Sequence, residues 1–443
     1  MWRQLLSETW AAVGNDAPQP AELTVKGDTG HLPSNLPVED TALACTGAAL
    51  LAAASLRNAK HVTIDRAHLA AAYRSEAHVR VNGTPAPAGF APLSRFWRTR
   101  DGWIRTHANY PWHRDALLRT LGTKDDNQAV AAAIAERDGR DLEDAIVANG
   151  GVAAALRTHD QWLAEPQGQT AAAAPLVTTR RDGDARPRRK NTATIRVLDL
   201  TRVIAGPVCT RYLAALGADV LRIDPPHRSE LPQQAIDSLL GKRSALLDAR
   251  TAGGLETLHE LLDRADVLVH GYRPHALDRF GLTPDALAER HPGLVTVTLS
   301  AWGAEGPWGN RRGFDSIVQV AAGIAAAESP DGDRPGALPC QLLDHGTGYL
   351  CAAAALGSLA AQRAEGGTHS RSLSLARTAY LLLSAPPPPA PGQPPRPAAP
   401  PLATVPSADG EVAVVLPPGE LDGTPLAWPR PLSRYGADTP SWE

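Results

Sequence analysis

Between residues 196 and 299, short apolar runs alternate with stretches whose apolar positions recur at helical spacing. The apolar runs predict strands at residues 196–200, 219–224, 244–248, 267–269 and 294–299. The helical patterns lie at residues 208–216, 254–264 and 284–290, and Gly217 is the glycine expected just after the first helix. Strands alternating with helices at this spacing predict βαβ units and an α/β fold with a Rossmann-like, open, mostly parallel sheet.

The loops that follow the predicted strands are the first place to look for a ligand site, because open parallel sheets bind ligands outside the carboxyl ends of their strands. These loops are residues 202–207, 224–226, 270–274 and 300–306. The first reads RVIAGP, without the GxGxxG spacing of a dinucleotide-binding turn, and the chain contains no GxxxxGKS/T phosphate loop. The sequence therefore favours neither the usual dinucleotide-dependent dehydrogenase nor a P-loop enzyme.

Two segments of distinct composition divide the chain. Residues 179–190 read TRRDGDARPRRK, which carries no apolar periodicity and predicts a basic linker over residues 179–193 rather than an anion-binding patch. Residues 385–401 read APPPPAPGQPPRPAAPP, which predicts a stiff polyproline II spacer, with an SH3-type ligand as the alternative. The predicted units are then residues 1–178, residues 194–384 and a tail at residues 402–443.

Composition and charge narrow the range of partners. The chain has 443 residues, which leaves room for two domains, and 39 prolines in an otherwise ordinary soluble composition. Lys and Arg total 44 against 47 Asp and Glu, and the resulting net charge of −3 gives no field that would draw the chain to nucleic acid or to an anionic membrane. We therefore expect neither nucleic acid nor a membrane among its partners.

The cysteines and the N-terminal residues bear on the compartment. Cys45, Cys209, Cys340 and Cys351 form no CxxC pair, which argues against a metal site or a disulfide framework and fits a reducing cytosol. The first 15 residues lack the pattern of a secretory signal, and the apolar stretch 43–56 is too short to span a bilayer. We expect a cytoplasmic protein without a membrane anchor, in which residues 43–56 form a buried helix.

Four blocks in one order carry a resemblance to a known family. They are VLDLTRVIAGPVCTRYLAALGADVLRID (197–224), GKRSALLD (241–248), ADVLVHGYRPHALDRFGL (265–282) and LSAWGAEGPWGNRRGFDSIVQVAAG (299–323). Together they resemble the class III CoA-transferases of the CaiB/BaiF type, which have the α-methylacyl-CoA racemases as relatives. The resemblance implies a Rossmann-like domain plus a smaller α+β domain, and an interlocked homodimer or a heteromer with a family member.

The resemblance also implies an aspartate nucleophile. The matching position is Asp344, in the stretch LLDHG directly before an Ala-rich apolar helix predicted at residues 348–361. A helix N-terminus favours a carboxylate, because the macrodipole and the free N–H groups stabilise negative charge there. The alternative is that Asp344 only caps the helix. In the family, the carboxylate attacks a thioester to give an acyl-aspartyl anhydride, and CoA then forms an aspartyl-CoA thioester.

Carrying the family's CoA contacts over residue by residue gives nine positions in this chain. Val203, Ile204 and Ala205 match the first turn, and Lys242 and Arg243 match the partners of the phosphates. Tyr272, Arg273 and Arg279 match the residues at the nucleotide end, and Trp302 matches an aromatic residue near the thioester. CoA or an acyl-CoA is thereby implied as a substrate, with no tightly bound cofactor. Any single one of these cations could instead be a solvated surface charge.

Three positions depart from the family pattern. Gly271 stands where an asparagine is usual, and the stretch Asp224-Pro225-Pro226 lacks the basic residue that often follows this strand. Phe314 stands where the racemases carry a histidine before the Asp of their GxD motif. Because phenylalanine cannot transfer a proton, the sequence disfavours α-proton transfer by that route.

The first 178 residues resemble a later part of the same family. Residues 90–112 are similar to a segment of the small domain, and the tail at 402–443 to the closing segment, so the family's halves appear in exchanged order. Residues 38–56 echo the stretch around Asp344, with Asp40 in the place of Asp344, and residues 61–73 echo residues 369–380. Asp40 is a second candidate nucleophile, with a helix N-cap as the alternative role.

The leading hypothesis is an enzyme that moves CoA from an acyl-CoA to a carboxylic acid through Asp344. One alternative is a catalytically impaired CoA-binding paralogue that serves as a structural or regulatory partner of an active homologue. Another is an acyl-CoA racemase or dehydratase.

Overall fold

The first 178 residues form mainly short helices and strands around one long helix. The computed structural model describes residues 1–14, 19–86, 89–187, 194–388, 400–408 and 410–443. The elements up to residue 173 are α1 (Trp2–Ala12), β1 (Glu22–Lys26), α2 (Val38–Arg57), β2 (His61–Asp65), α3 (Arg66–Ala72), α4 (Ser75–His78), β3 (Arg80–Val81), β4 (Thr84–Pro85), β5 (Phe96–Arg98), β6 (Trp103–Thr106), α5 (Pro111–Leu121), α6 (Asn127–Ala135), α7 (Gly139–Ala148), β7 (Ala153–Ala155), α8 (His159–Ala164) and α9 (Pro166–Ala173).

Longer strands and helices alternate in the second part of the chain. They are β8 (Thr178–Asp182), β9 (Arg196–Leu200), α10 (Ala205–Ala215), β10 (Asp219–Asp224), α11 (Pro232–Ser238), β11 (Arg243–Leu246), α12 (Ala252–Asp263), β12 (Val267–His270), a 3₁₀ helix (Asp278–Phe280), α13 (Pro284–Arg290), β13 (Val295–Ser300), α14 (Asp315–Ala322), α15 (Ile324–Ala327), α16 (Leu342–Glu365), β14 (Thr368–Ser374) and α17 (Leu375–Ser384). The tail adds β15 (Leu402–Ser407), β16 (Gly410–Val415), β17 (Glu420–Leu421) and β18 (Thr424–Pro425).

A seven-stranded sheet confirms the predicted α/β fold. Its strand order is β11-β10-β9-β12-β13-β14-β8, and every pairing is parallel except that of β14 with β8. Strands β9, β10 and β12 are buried almost throughout, because helices cover both faces of a parallel sheet. The order of the strands reverses around β9, where the chain leaves in one direction to β10 and returns on the other side as β12. Such a reversal creates a crevice at the carboxyl ends of the strands.

The first residues of the segment predicted as a basic linker, 179–182, belong to a strand, which corrects the prediction for those residues. Strand β8 pairs antiparallel with β14 at the edge of the large sheet, with Arg180 opposite Ser370. Most of its side chains are exposed, so an edge strand of this kind carries no apolar alternation to reveal it. Residues 188–193 of the predicted linker and residues 389–399 of the predicted proline spacer lie outside the described residues. The division into domains stays a prediction.

The helix of Asp344 begins earlier than the sequence predicts. Helix α16 starts at Leu342, so Asp344 lies within its first turn rather than before it. The reason is tertiary: Leu342 and Leu343 are fully buried, and the Asp315 carboxylate at the start of α14 accepts the N–H group of Asp344. A side chain from another helix thus satisfies a backbone donor that the first turn leaves unpaired.

The apolar stretch at residues 43–56 lies within α2, which is buried as predicted and packs along α16. The ring of Tyr73 lies 5.3 Å from that of His345 and 5.4 Å from that of Tyr349, so α3 is also tied to the start of α16. One apolar core includes α2, α10 and α16, and it therefore joins the first 178 residues to the large sheet. Within the described ranges, no helix combines the length and apolarity that crossing a bilayer requires.

The smaller sheets show how the first part and the tail are connected. Strands β5, β6 and β7 form an antiparallel sheet that shares a core with α5, α6 and α7. The tail strand β16 pairs with β3, and β17 pairs with β2. In sequence order, α2, β2 and α3 repeat the arrangement of α16, β14 and α17, which gives the echo around Asp40 a structural counterpart.

The contact between α10 and α16 requires a glycine and gives a stability prediction. A Cβ at Gly348 would lie 2.5 Å from the carbonyl oxygen of Ala205 and 2.8 Å from Cβ of Val208. We expect Gly348→Ala to lower the free energy of unfolding by about 1–3 kcal/mol, because the two helices would have to separate. The control is Gly253→Ala in α12, where a Cβ meets nothing within 4 Å and should leave stability unchanged or raise it by up to about 1 kcal/mol. Urea unfolding followed by circular dichroism checks both, and equal effects of the two substitutions would contradict the packing.

Candidate active site

A cavity of about 570 Å³ opens at the carboxyl ends of the parallel strands. The loops after β9, β10, β11, β12 and β13 line it, as the sheet topology predicts. Two further walls come from elsewhere: the start of α5 from the first part of the chain, and the first turn of α16. The cavity therefore lies at the edge of the sheet where ligands are expected to bind, and helices α5 and α16 complete its walls.

Asp344 lines this cavity from the first turn of α16. Its backbone N–H donates to Oδ2 of Asp315 over 3.0 Å, and the side-chain amide of Gln319 donates to Oδ1 of Asp315. In the part of the chain that the structure describes, no group donates a hydrogen bond to the carboxylate of Asp344 itself. The side chain is thus fixed through its backbone while its oxygens remain available to a ligand.

Burial and neighbouring acids make the Asp344 carboxylate more basic. Burial raises the pKa of Asp344 well above its usual value, and the like charges of Asp315 and Glu76 raise it further. Burial likewise raises the pKa of Asp315 to about 6. A carboxylate in such surroundings is a stronger base and nucleophile than one in water, once it is ionised.

The first part of the chain supplies an acid beside this site. Glu76 in α4 lies with Oε2 3.3 Å from Nε2 of His345, the residue after Asp344. Burial alone would raise the pKa of Glu76, but its hydrogen bond and ion pair with His345 lower it. Helices α4 and α16 are therefore linked electrostatically next to the candidate nucleophile.

Four arginines lining the cavity have no carboxylate partner within the described residues. Arg273 donates to the backbone oxygen of Asn310, and the others are Arg228, Arg279 and Arg312. Arg250 also lines the cavity but is paired with Asp248 at 2.8 Å. Guanidinium groups without acidic partners in a concave site suit a ligand that carries several negative charges.

The structure brings five of the nine predicted CoA positions to the cavity. These are Val203, Ala205, Tyr272, Arg273 and Arg279. Ile204 is buried beside the first turn and does not line the cavity. Trp302 is also buried, with its ring 4.8 Å from that of Trp308 and 5.9 Å from that of Trp162, away from the cavity wall.

Lys242 and Arg243 do not reach the cavity, which corrects their expected role as phosphate partners. Lys242 is fully buried, and its Nζ lies 2.9 Å from Oδ2 of Asp199. Arg243 binds both carboxylate oxygens of Asp219 at 3.1 and 3.2 Å. Each cation has a buried acid beside it because the basic run GKR continues directly into β11, whose first three residues are buried. A phosphate would have to displace a carboxylate to bind either one.

A basic residue follows β10, but it comes after the two prolines and not directly after the strand. Pro225, His227 and Arg228 line the cavity, so the chain does place a cation, Arg228, two residues beyond the prolines. The stretch Asp224-Pro225-Pro226 itself carries no basic residue, and Arg228 comes after it. Arg312 was missed because it precedes the Gly-Phe-Asp motif, from which only Phe314 was considered.

An aromatic wall at the start of α5 was also missed. Tyr110, Trp112 and His113 line the cavity, with the rings of Tyr110 and Trp112 stacked at 4.7 Å. Phe314 faces this wall, with its ring 5.8 Å from that of His113. Burial together with Arg312 and Arg228 lowers the pKa of His113 to about 3, so its imidazole is neutral. The sequence stretch ANYPWH contained the signal, a cluster of aromatic residues around a helix-starting proline.

Asp40 lies away from the cavity, at the start of α2. Its carboxylate lies near the N-terminal amine of Met1 and the backbone of Trp2. Burial raises the pKa of Asp40, whereas the N-terminal charge and Arg66 oppose that rise. The N-cap of α2 is Pro37, so Asp40 lies in the first turn of the helix rather than at the predicted N-cap, beside the start of α1.

Comparison with known proteins gives consistent matches to one family. A family model described as CoA-transferase family III matches residues 193–421, more than half of the chain. The chain is 33% identical over 177 residues to a probable fatty acyl-CoA transferase of Mycobacterium tuberculosis, a match covering 37% of this chain and 45% of the relative. It is 35% identical over 178 residues to a formyl-CoA:oxalate CoA-transferase of Streptomyces coelicolor, covering 37% and 43%. The chain thus spans less than half the length of these curated relatives.

Among solved structures, a CaiB/BaiF family protein of Brucella suis is 25% identical, with a TM-score of 0.40, over 49% of this chain and 64% of that one. The crystal structure of the Mycobacterium tuberculosis protein gives 30% identity and a TM-score of 0.40, over 45% of this chain and 57% of that one.

The corrected role of Lys242 gives a prediction that separates stability from ligand binding. Lys242→Met should lower the free energy of unfolding by about 3–5 kcal/mol, because it leaves the Asp199 carboxylate buried without its cation. Arg334→Met is the matched control: its pair with Asp331 is exposed, and its loss should cost at most about 1 kcal/mol. Urea unfolding measures both. A folded Lys242→Met protein of unchanged stability but reduced affinity for CoA would restore the original assignment.

Proposed function

Because the chain belongs to CoA-transferase family III, we propose that it moves CoA from an acyl-CoA thioester to a carboxylic acid, with Asp344 as the covalent nucleophile. The observation that carries the proposal is the position of Asp344: a buried carboxylate to which no described residue donates a hydrogen bond, in a cavity whose other walls supply arginines. The thioester is a substrate in this proposal, and no tightly bound cofactor is required.

The cationic part of the cavity suits the phosphates of CoA. A CoA molecule carries a diphosphate and a ribose phosphate, and arginine forms charge-assisted, two-pronged hydrogen bonds to phosphate oxygens. Arg228, Arg273, Arg279 and Arg312 are free of acidic partners within the described chain, so binding an anion requires no internal ion pair to be broken. Tyr272 offers an apolar ring on the same side.

In the first step, an oxygen of the Asp344 carboxylate attacks the carbonyl carbon of the acyl-CoA. The carbon–sulfur bond breaks, the electron pair leaves with sulfur, and the products are an acyl-aspartyl anhydride and the CoA thiolate. The thiolate then attacks the aspartyl carbonyl, which releases the donor's acyl group as a free carboxylate and leaves an aspartyl-CoA thioester.

The second half of the reaction reverses these steps with a different acid. The acceptor carboxylate attacks the aspartyl-CoA thioester and releases the thiolate, and the thiolate attacks the acceptor's carbonyl in the resulting anhydride. The products are the acceptor's CoA thioester and a regenerated Asp344 carboxylate. No net proton is consumed, so the site needs an ionised carboxylate rather than a general acid, which agrees with a neutral His113.

Phe314 supports transferase over racemase chemistry. It lines the cavity, and its ring stacks on that of His107 at 3.8 Å, so an apolar ring fills the position of the racemases' histidine. Its side chain offers no proton to an α-carbon. The homodimer or heteromer and the cytoplasmic location stay predictions.

The nucleophile assignment is tested by substitution and trapping. Asp344→Ala should lower kcat for CoA transfer at least about a thousandfold, because no covalent intermediate can form. The matched control is Asp40→Ala, which should transfer CoA like the unaltered protein. Incubation with a panel of acyl-CoA donors and hydroxylamine, followed by peptide mass spectrometry, should find a hydroxamate on the peptide containing Asp344. Retained transfer in Asp344→Ala would overturn the assignment, and CoA binding without any trapped intermediate would favour the impaired paralogue.

The buried acids predict a pH dependence. Since Asp344 must be ionised to attack and its pKa is raised, kcat/KM should fall on the acid side around a pKa well above the usual value for an aspartate. Asp315→Asn keeps an acceptor for the Asp344 N–H but removes a negative charge, so the acid limb should move to lower pH. Glu76→Gln should move it in the same direction. Profiles of kcat/KM against pH measure both effects, and a shift to higher pH in Asp315→Asn would contradict the electrostatic model.

A further inference from the structure

Glu230 is a buried carboxylate near the end of the loop between β10 and α11. Its side chain has no exposed surface. Oε1 accepts the hydroxyl of Tyr110 at 2.6 Å, and Oε2 accepts the N–H group of Val203 at 3.0 Å and Nη2 of Arg222 at 3.1 Å. One carboxylate thus joins the residue before α5, the turn before α10 and strand β10.

The charge of Glu230 is retained in the folded protein. Burial alone would raise its pKa, but Arg222 and Arg202, whose Nη2 lies 3.6 Å from Oε1, lower the pKa to about 2. Hydrogen bonds to an ionised acceptor are shorter and stronger than those between neutral groups. The bonds from Tyr110 and Val203 are therefore among the strong ones at the cavity.

The hydrogen bond between Glu230 and Val203 supports a strained backbone conformation. Val203 has a φ of +69°, in the left-handed region that β-branched residues rarely occupy. It lies in the turn before α10 and lines the cavity. Such strain persists where neighbouring contacts enforce it, and here Glu230 accepts the N–H group of the strained residue.

The bond to Tyr110 holds the aromatic wall. Tyr110 precedes α5, and its ring stacks on that of Trp112 and lies 5.7 Å from that of His113. Arg202 also lies over the ring of Tyr110, at 5.3 Å. The wall belongs to the first part of the chain, whereas the rest of the cavity belongs to the large sheet. The hydrogen bond from the Tyr110 hydroxyl to Glu230 ties this wall to the loops of the sheet.

We infer that Glu230 is a positioning residue for the transfer reaction: it sets the distance between the aromatic wall and the first βα turn, across the cavity that Asp344 lines. The inference rests on the proposed function, in which both surfaces touch the acyl-CoA. Glu230 itself does not line the cavity, so it acts through Tyr110 and Val203. Nothing in the sequence pattern marks it, because its three partners come from separate segments.

An aromatic wall that is held less firmly binds the substrate and the transition state less tightly, and it does so to the same extent for both. Loss of such binding raises KM and leaves kcat nearly unchanged, because the interaction is equally strong in both states. A merely structural role gives a different result: a fraction of unfolded protein lowers the apparent kcat and leaves KM as it was. The split between KM and kcat therefore separates positioning from general stability.

Tyr110→Phe tests the inference with the smallest change, since it removes only the hydroxyl that donates to Glu230. We expect KM for the acyl-CoA to rise about tenfold, with kcat within twofold, because a hydrogen bond to a charged group is lost. Tyr380→Phe is the matched control: its ring lies outside the cavity, and both constants should stay unchanged. Glu230→Gln should raise KM further. The double variant should have a KM no more than about twice that of Glu230→Gln, because the two residues act as one unit.

A KM unchanged in Tyr110→Phe, or a fall in kcat alone, would overturn the inference. If Glu230→Gln fails to fold, Tyr110→Phe still decides the matter. Calorimetric titration of each protein with CoA keeps the two proposals apart. Absence of both CoA binding and transfer in the unaltered protein would refute the proposed function, whereas normal binding and transfer with a silent Tyr110→Phe would refute only the positioning role.

Discussion

The candidate site depends on a carboxylate that is buried with no cation beside it among the described residues. Asp344 lies in the first turn of α16 with its backbone N–H held by Asp315, while its own oxygens face the cavity. That arrangement is costly, since burial and the charges of Asp315 and Glu76 all oppose ionisation. It persists because α16 is fixed along its length by apolar packing against α2 and α10 and against the strands β13 and β14. The helix holds an unfavourable group in place because the rest of the helix is very favourably packed.

Charged side chains in this protein fall into two sets that differ in their partners. Lys242, Arg243 and Arg222 are buried beside acids and hold strands and loops together. Four arginines that face the cavity, Arg228, Arg273, Arg279 and Arg312, have no acidic partner among the described residues, and removing them from water is therefore compensated only when an anion binds. This difference explains why a basic residue in a family motif can have a structural role. The presence of an acid beside the residue decides its role, and its place in the motif does not.

Two parts of the chain build one cavity. The large sheet supplies the turn at Val203 and the loop arginines, and the first part of the chain supplies Tyr110, His113 and, beside the nucleophile, Glu76. The repeated order of helix, strand and helix around Asp40 and Asp344 packs into a single core, and only the second copy faces the cavity. The first copy serves as packing for α16, with its aspartate turned towards the N-terminus of the chain.

The sequence by itself determined the parallel sheet, the family and the choice of Asp344 as candidate nucleophile, because each depends on local order: period-two and helical patterns, and motifs read in one direction along the chain. It also located the ligand edge, where Val203, Tyr272 and Arg273 meet as expected. Only the tertiary structure decided which cations are free. Lys242 and Arg228 look alike in a sequence, but β11 turns the first towards Asp199 and the loop after β10 leaves the second in the cavity. The aromatic wall, the cap that Asp315 provides and the contacts of Glu230 were likewise decided in three dimensions. Each joins residues from separate segments, and no local pattern records which distant side chains folding brings within hydrogen-bond distance.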